Sequence, residues 1–237
     1  IYNFQTAYAL EKIGHLSKSL EYYEKAKKFG FKDKKKILNN IANIYFNLGK
    51  IDKSIKLYEN AYLNSTDDKI LINNLLGAYL EKRDIKKSKY YLNEAKKLDA
   101  NYINFKLNKA KYLFLVNKID EAINLLEQII SIEDDIASIA LLCKIYFRTN
   151  RLSHGNKLLN DKFLSYPNDP KLLRFKGFRS LIDGDFDKGW KLYELRHSNL
   201  DKRFPKIPEW NGEDLSSKKI LVYNEQGIGD AIQFSKY

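Results

Sequence analysis

The sequence of 237 residues predicts an all-α protein: a superhelical array of about six helix hairpins, with a short, incomplete α/β start (strand, loop, helix) at its C-terminus. Three observations predict the array. One sequence pattern recurs roughly every 34 residues. Apolar residues stand at helical spacing on both sides of each turn, and the second helix of every copy carries a small residue at one fixed position.

The repeating unit is defined by the turn between its two helices. The turn residues are Gly14, Gly49, Arg83, Asn117, Asn150 and Gly184. Five residues later stand Ser19, Ser54, Ser88, Ala122, Gly155 and Gly189, and a small side chain at this point lets two helices cross closely. Nine residues after the turn stand Tyr23, Tyr58, Leu92, Leu126, Leu159 and Tyr193. The predicted repeats lie near residues 1–34, 35–68, 69–102, 103–135, 136–169 and 170–197.

The period and the pattern resemble the tetratricopeptide repeat, with Ala26, Ala61 and Ala95 at its second small position and Pro167 as its closing proline. The resemblance covers residues 1 to about 197. It implies a solenoid in which each hairpin packs on its neighbours, and whose concave groove is lined by the first helix of every hairpin. It also implies that a protein or peptide is the partner in this groove.

Amide side chains recur along the predicted groove. One first-helix position holds Gln5, Asn40, Asn74 and Asn108 in four successive repeats, and then Leu141 and Phe175. Because amides donate and accept hydrogen bonds, such an amide ladder could hold a peptide backbone whatever its side chains. It resembles the asparagine ladder of the O-linked N-acetylglucosamine transferases. The alternative is that asparagine is simply frequent in this chain.

Basic side chains occupy other inward positions of the later first helices: Lys111, Lys144, Arg148, Lys171 and Arg174. They predict a basic second half of the groove. The whole chain has 42 Lys and Arg against 30 Asp and Glu, a formal net charge of +12. Such a balance is also found in proteins that bind nucleic acid or anionic membranes, but lysines on solvated helix faces account for it. RNA binding ranks last, since no pairing of aromatic and basic residues recurs from repeat to repeat.

Metal sites and disulfides are not expected. The histidines His15, His154 and His197 are far apart in register, and the single cysteine, Cys143, fits a reducing compartment such as the cytoplasm. Residues 183–185 have an Asp-x-Asp spacing that some glycosyltransferases use to hold a metal, but in register they form the turn of repeat six. No apolar run is long enough to span a bilayer.

The C-terminal residues depart from the repeat pattern. Residues 198–218 are expected to be a linker, and residues 219–237 to begin an α/β domain. In the latter an apolar β-type run leads into a turn at Gly227 and Gly229 and then a helical pattern near Asp230. Such a unit cannot bury its own faces. The chain is therefore expected to be the N-terminal fragment of a longer polypeptide.

Four segments in order, residues 190–196, 208–215, 219–222 and 225–230, resemble the junction in bacterial tetratricopeptide-repeat glycosyltransferases. In that family a two-lobed transferase domain, similar to the heptosyltransferases, follows the repeats. The resemblance implies a parent enzyme that uses a nucleotide sugar and modifies a glycan or polypeptide acceptor.

The same resemblance implies roles for residues in the turn. Gln226, Gly227 and Gly229 would form a substrate loop, and Asp230 would be the general base on the acceptor hydroxyl. The alternative for Asp230 is an N-cap of the following helix. The fragment by itself is expected to bind a partner without a cofactor and without catalysis. The competing hypothesis for the whole protein is a non-catalytic scaffold for protein interactions.

Overall fold

The computed structural model describes residues 1–63, 66–194, 207–208, 210 and 212–221. In these residues the chain forms helices and no strand, which confirms the all-α prediction. The helices are α1 (Tyr2–Lys12), α2 (Leu16–Lys28), α3 (Lys34–Asn47), α4 (Ile51–Tyr62), α5 (Lys69–Glu81), α6 (Ile85–Leu98), α7 (Ile103–Leu115), α8 (Ile119–Ile132), α9 (Ile136–Arg148), α10 (Leu152–Ser165), α11 (Pro170–Ile182) and α12 (Phe186–Glu194). None of these helices is long and apolar enough to cross a lipid bilayer.

Consecutive helices pair as hairpins, from α1 with α2 to α11 with α12. The second helix of each hairpin packs on the first helix of the next. From α3 onward the first helices of neighbouring hairpins also touch, through the pairs α3–α5, α5–α7, α7–α9 and α9–α11. The first helices therefore form one continuous layer, which is the arrangement that the repeat pattern predicts.

The predicted turn residues all have left-handed backbone conformations. Their φ angles are 83° at Gly14, 72° at Gly49, 59° at Arg83, 62° at Asn117, 58° at Asn150 and 84° at Gly184. In the second hairpin, Lys50 N–H donates to Tyr45 O at 2.8 Å and Gly49 N–H to Phe46 O at 2.9 Å. This is the Schellman cap, which satisfies the last carbonyls of a helix. Glycine and asparagine adopt the conformation readily, whereas Arg83 does so at a steric cost.

The small residues after each turn lie at the crossings of the helices. All are buried. Ser19 Oγ donates to Ala7 O at 2.7 Å across the first hairpin. A Cβ added at Gly189 would lie 2.6 Å from Leu181 Cδ2 and 3.0 Å from the backbone nitrogen of Leu181. No larger side chain fits there without moving α11 away from α12.

The apolar core runs along the solenoid as a series of clusters, each spanning more than one hairpin. The position nine residues after the turn supplies Tyr23, Tyr58, Leu126 and Leu159, each at most 2 % exposed. Because each hairpin buries its apolar face only on its neighbours, stability is distributed over successive interfaces.

Much of the predicted C-terminal organisation lies outside the described residues, including Gln226, Gly227, Gly229 and Asp230. The chain divides into two compact units, Ile1–Asp201 and Lys202–Tyr237. In the second unit Trp210 Nε1 donates to Glu213 O at 2.8 Å. The residues at 220 and 221 are not in a strand, since a strand needs a hydrogen-bonded neighbour and no described segment pairs with them. The linker and the α/β start stay predictions.

Candidate binding groove

Two adjoining cavities lie on the layer of first helices. The amide cavity, about 350 Å³, is formed mainly by α3, α5 and α7. The basic cavity, about 480 Å³, is formed mainly by α5, α7 and α9 with the turns that follow them, and α3 adds Phe46. Phe46, Gly77 and Lys111 border both. The cavities therefore form one groove along repeats two to five, on the helices that the sequence assigned to it.

The amide cavity is named for the asparagines that line it: Asn43, Asn47, Asn73, Asn74, Asn104 and Asn108. Tyr58, Glu11 and Lys111 add a hydroxyl, a carboxylate and an ammonium group. Of the predicted amide ladder, Asn74 and Asn108 lie here, whereas Gln5 and Asn40 do not line either cavity. The concentration of groups that both donate and accept makes this cavity suited to a ligand with peptide-like polarity.

The ladder residue of repeat two, Asn40, forms hydrogen bonds that connect repeats one and two. Asn40 Nδ2 donates to the Tyr23 hydroxyl at 2.9 Å, and that hydroxyl donates to Glu11 Oε2 at 2.9 Å. Burial raises the pKa of Glu11 above its usual value, and the hydrogen bond from Tyr23 opposes this shift. Asn40 thus has a structural role that the ladder hypothesis did not include.

The next two ladder residues, Asn74 and Asn108, form hydrogen bonds that connect repeats two, three and four. Asn74 Nδ2 donates to Asn39 Oδ1 at 3.0 Å and to Asn43 Oδ1 at 3.3 Å. The Tyr58 hydroxyl also donates to Asn43 Oδ1, at 2.5 Å. Asn108 Nδ2 donates to the backbone oxygen of residue 73 at 2.9 Å. Each ladder asparagine therefore bonds to the repeat before it, through one part of its amide.

Part of the hydrogen-bonding capacity of the amide cavity remains unused. Asn73 Oδ1 is buried and accepts no hydrogen bond from the described residues, although Asn73 Nδ2 donates to Lys69 O at 2.8 Å. An amide has two N–H donors and two acceptor lone pairs, so Asn74 and Asn108 also keep capacity beyond the bonds above.

Sequence reasoning gave Asn39, Asn43 and Asn73 no role. The available signal was helical spacing: Asn43 follows ladder residue Asn40 by three positions, which places the two on the same helix face. The frequency of asparagine in the chain concealed this pattern.

Gly77, in the middle of α5, forms the floor between the two cavities. The same repeat position holds Asn43, Lys111 and Lys144 in other hairpins. A Cβ added at Gly77 would meet nothing closer than Asn108 Oδ1 at 3.7 Å, which is ordinary contact. By contrast, a Cβ at Gly155 would lie 3.0 Å from the Phe147 ring. The Phe147 ring therefore leaves little room for a side chain at Gly155, whereas the surroundings of Gly77 leave room for one.

The basic cavity contains three of the five predicted cations, Lys111, Lys144 and Arg148. Burial lowers the pKa of Lys111; Glu81 opposes the shift, and Lys171 and Lys144 add to it. The Arg148 guanidinium lies 5.8 Å from the centre of the Phe114 ring. The remaining two cations, Lys171 and Arg174, are exposed on α11 and do not line the cavity.

Arg83 is a lining residue of the basic cavity that the sequence did not assign to the groove. The signal was present, because Arg83 is the one charged residue in a turn position that otherwise holds glycine or asparagine. In the described residues, no group of three or more histidine, cysteine or acidic side chains is arranged to hold a metal ion.

Residues 36–65 match the family profile of the tetratricopeptide repeat. Protein FlbA of Caulobacter vibrioides is 34 % identical to this chain over 74 residues. The match covers 29 % of this chain and 12 % of FlbA, so the chain spans a small part of that relative.

Solved structures show the same fold at low sequence identity. A tetratricopeptide-repeat protein from Parabacteroides merdae is 15 % identical, with a TM-score of 0.71 over 85 % of this chain and 78 % of its own. A thermophilic tetratricopeptide-repeat protein from Thermus thermophilus is 18 % identical, with a TM-score of 0.66 over 74 % of this chain and 96 % of its own. The chain thus has the fold of tetratricopeptide-repeat proteins, as the repeat pattern predicted, and its relation to glycosyltransferases stays a prediction.

Proposed function

We propose that this tetratricopeptide-repeat solenoid binds an extended polypeptide segment along the groove of repeats two to five. The observation that carries the proposal is Gly77. A glycine inside a helix costs about 1 kcal/mol relative to alanine, and here no packing contact requires it. Its missing side chain joins the amide cavity to the basic cavity and lets a bound backbone approach α5 closely.

The chemistry of the two cavities supports a polypeptide ligand. The unused donors and acceptors of Asn74 and Asn108 can pair with backbone amides whatever the side chains of the ligand. Phe46 and Phe114 supply apolar wall to the basic cavity. Binding sites commonly combine such apolar surface with a few polar groups that fix orientation.

The test is to fill the floor of the groove. Gly77→Trp would place a large ring between the two cavities, whereas Lys89→Trp adds the same ring to an exposed position on α6 of the same hairpin. Arrays of random ten-residue peptides should bind wild type and Lys89→Trp alike, and should bind Gly77→Trp at least tenfold more weakly. Thermal unfolding checks that both variants are folded. Equal peptide binding by Gly77→Trp would overturn the proposal.

We also propose that the repeats serve a glycosyltransferase, with Asp230 as general base and Gln226, Gly227 and Gly229 at its substrate loop. The sequence motifs of residues 190–230 support this, and cytoplasmic location and a nucleotide-sugar donor are part of the proposal. The test is transfer of label from nucleotide sugars to glycan or polypeptide acceptors by the product of the complete gene. Transfer that is lost in Asp230→Asn supports it. No transfer by the wild type favours a non-catalytic scaffold.

A further inference from the structure

We infer that the basic cavity receives a phosphorylated side chain of the polypeptide that occupies the groove. The inference rests on the proposed function, because it assumes that a polypeptide lies along the first helices. It assigns the chemistry of one subsite, and it gives a role to Arg83. The observations that carry it are the excess of positive charge around the basic cavity and the lack of an ion pair between these cations and any described residue.

Four cationic side chains line the basic cavity: Arg83, Lys111, Lys144 and Arg148. The one acidic side chain in its lining is Glu81. None of the four cations forms an ion pair with a described residue, although surface lysines elsewhere do, such as Lys82 with Asp52 at 2.7 Å. Like charges gathered in one cavity repel one another, and an anionic ligand removes that repulsion. The cavity is therefore complementary to a group with more than one negative charge.

Arg83 strengthens this charge pattern at a cost to the backbone. Its φ of 59° lies in the left-handed region, where asparagine or glycine stands in the five equivalent turns. Asparagine would adopt this conformation more readily and would still cap α5. An arginine at this turn places a further guanidinium beside the cavity, which supplies several N–H donors for an oxyanion.

A phosphoryl group fits these charges better than acidic side chains do. A phosphorylated residue carries a charge of about −1.5 to −2 on three acceptor oxygens held at one point. In an extended segment, successive side chains point to opposite faces, so two adjacent carboxylates cannot both enter one cavity. A single carboxylate would leave most of the cationic charge unmatched.

The partly buried Lys111 gives a direct signal of such binding. Burial and the neighbouring Lys171 and Lys144 lower its pKa in the free protein, against the opposing effect of Glu81. A dianion beside the ammonium group favours its charged form and raises that pKa. The shift can be followed by NMR of the Lys111 side chain, with Lys89 on α6 as an exposed reference.

The test uses residues 1–237 and three ten-residue peptide pools. The pools differ at the centre, which is fixed as serine, phosphoserine or two adjacent glutamates, and is otherwise random. The variants Lys111→Met and Lys144→Met remove charge and keep an unbranched side chain, and Arg83→Asn removes charge while suiting the left-handed turn. Lys89→Met is the matched control, because it removes the same charge from the exposed face of α6.

The expected result is at least tenfold tighter binding of the phosphoserine pool than of the serine pool. This preference should fall severalfold in each cavity variant, remain in Lys89→Met, and accompany a rise in the Lys111 pKa. Equal binding of the serine and phosphoserine pools would overturn the inference and leave the polypeptide groove standing. Equal binding of the glutamate and phosphoserine pools would overturn the phosphoryl assignment in favour of an acidic segment. Binding of no pool would overturn both the inference and the proposed function.

Discussion

The inner surfaces of the early and late repeats use different inward helix positions for different purposes: nine residues before the turn for Asn40 and Asn74, and six residues before it for Lys111 and Lys144. In repeats two and three, Asn40 and Asn74 donate hydrogen bonds to the preceding repeat. In repeats four and five, Lys111, Lys144 and Arg148 point their charge at a cavity and pair with no described acidic group. The early asparagines hold repeats together and keep only part of their amide capacity for a ligand, whereas the late cations are left wholly available for one.

The difference follows from the side chains themselves. An asparagine amide is short and neutral, so it can be partly buried at modest cost once it is hydrogen-bonded. A lysine or arginine head group loses much more when it leaves water, so it stays at a cavity wall unless a counter-ion accompanies it. The type of residue at each inward position therefore decides between cohesion of the repeats and availability to a ligand.

The largest loss of stability is expected from truncation of Tyr58, in the early repeats. Tyr58 is 2 % exposed and its hydroxyl contacts Asn43. Truncation in Tyr58→Ala removes a buried ring and should lower the free energy of unfolding by about 3–5 kcal/mol. Urea unfolding followed by circular dichroism measures it. Tyr58→Phe, which removes only the hydroxyl, should cost about 1 kcal/mol. A loss below 1 kcal/mol in Tyr58→Ala would contradict the assignment of this ring to the core.

The second prediction compares the stability cost of removing one inner side chain from the early repeats and one from the late repeats. Asn74→Ala removes the donor to Asn39 and Asn43 and should cost about 1–2 kcal/mol in urea unfolding. Lys144→Ala removes an exposed cation that forms no ion pair with a described residue, and it should change stability by less than about 0.5 kcal/mol. Equal costs for the two variants would remove the distinction between the cohesive and the available surface.

The third prediction compares the smaller changes in stability that alanine should cause at Gly77 and at Gly155. Gly77→Ala should stabilise the protein by about 0.5–1 kcal/mol, because alanine is the better helix former and its methyl group has room. Gly155→Ala should gain nothing or lose stability, since its Cβ would lie 3.0 Å from the Phe147 ring. Thermal unfolding of both variants checks this. A destabilised Gly77→Ala would mean that packing, and not the groove, explains this glycine.

The smallest effect concerns pH. The pKa of Glu11 is raised in the folded protein by burial, so the folded state favours the protonated form. Its contribution to stability therefore increases as pH falls through the folded pKa toward the unfolded value. Glu11→Gln keeps an acceptor for the Tyr23 hydroxyl without the charge, and should stabilise the protein at pH 7 by less than about 1 kcal/mol. The advantage should shrink near pH 4.5, and an advantage that is constant with pH would contradict the shift.

The sequence predicted the repeat register well because its signals are local. The turn residues at Gly14, Gly49 and Gly184 and the asparagines at the later turns end their own helices, and the Schellman caps involve residues three and five apart. The small residue after each turn faces its own hairpin partner, so Ser19 and Gly189 could be placed without knowledge of the next repeat. Period and helix propensity therefore determined the fold class.

The tertiary structure decided what the inner side chains do. Asn74 contacts Asn39 across 35 residues, and Asn40 contacts Tyr23 across 17, because stacking brings neighbouring hairpins together. The ladder position was visible in the sequence, but its hydrogen-bond partners depend on how one hairpin rests on the next. The same holds for Gly77, whose open surroundings distinguish it from Gly155 only once neighbouring helices are in place. Local chemistry fixed the repeats, and packing between repeats assigned some inner residues to cohesion and left others to the groove.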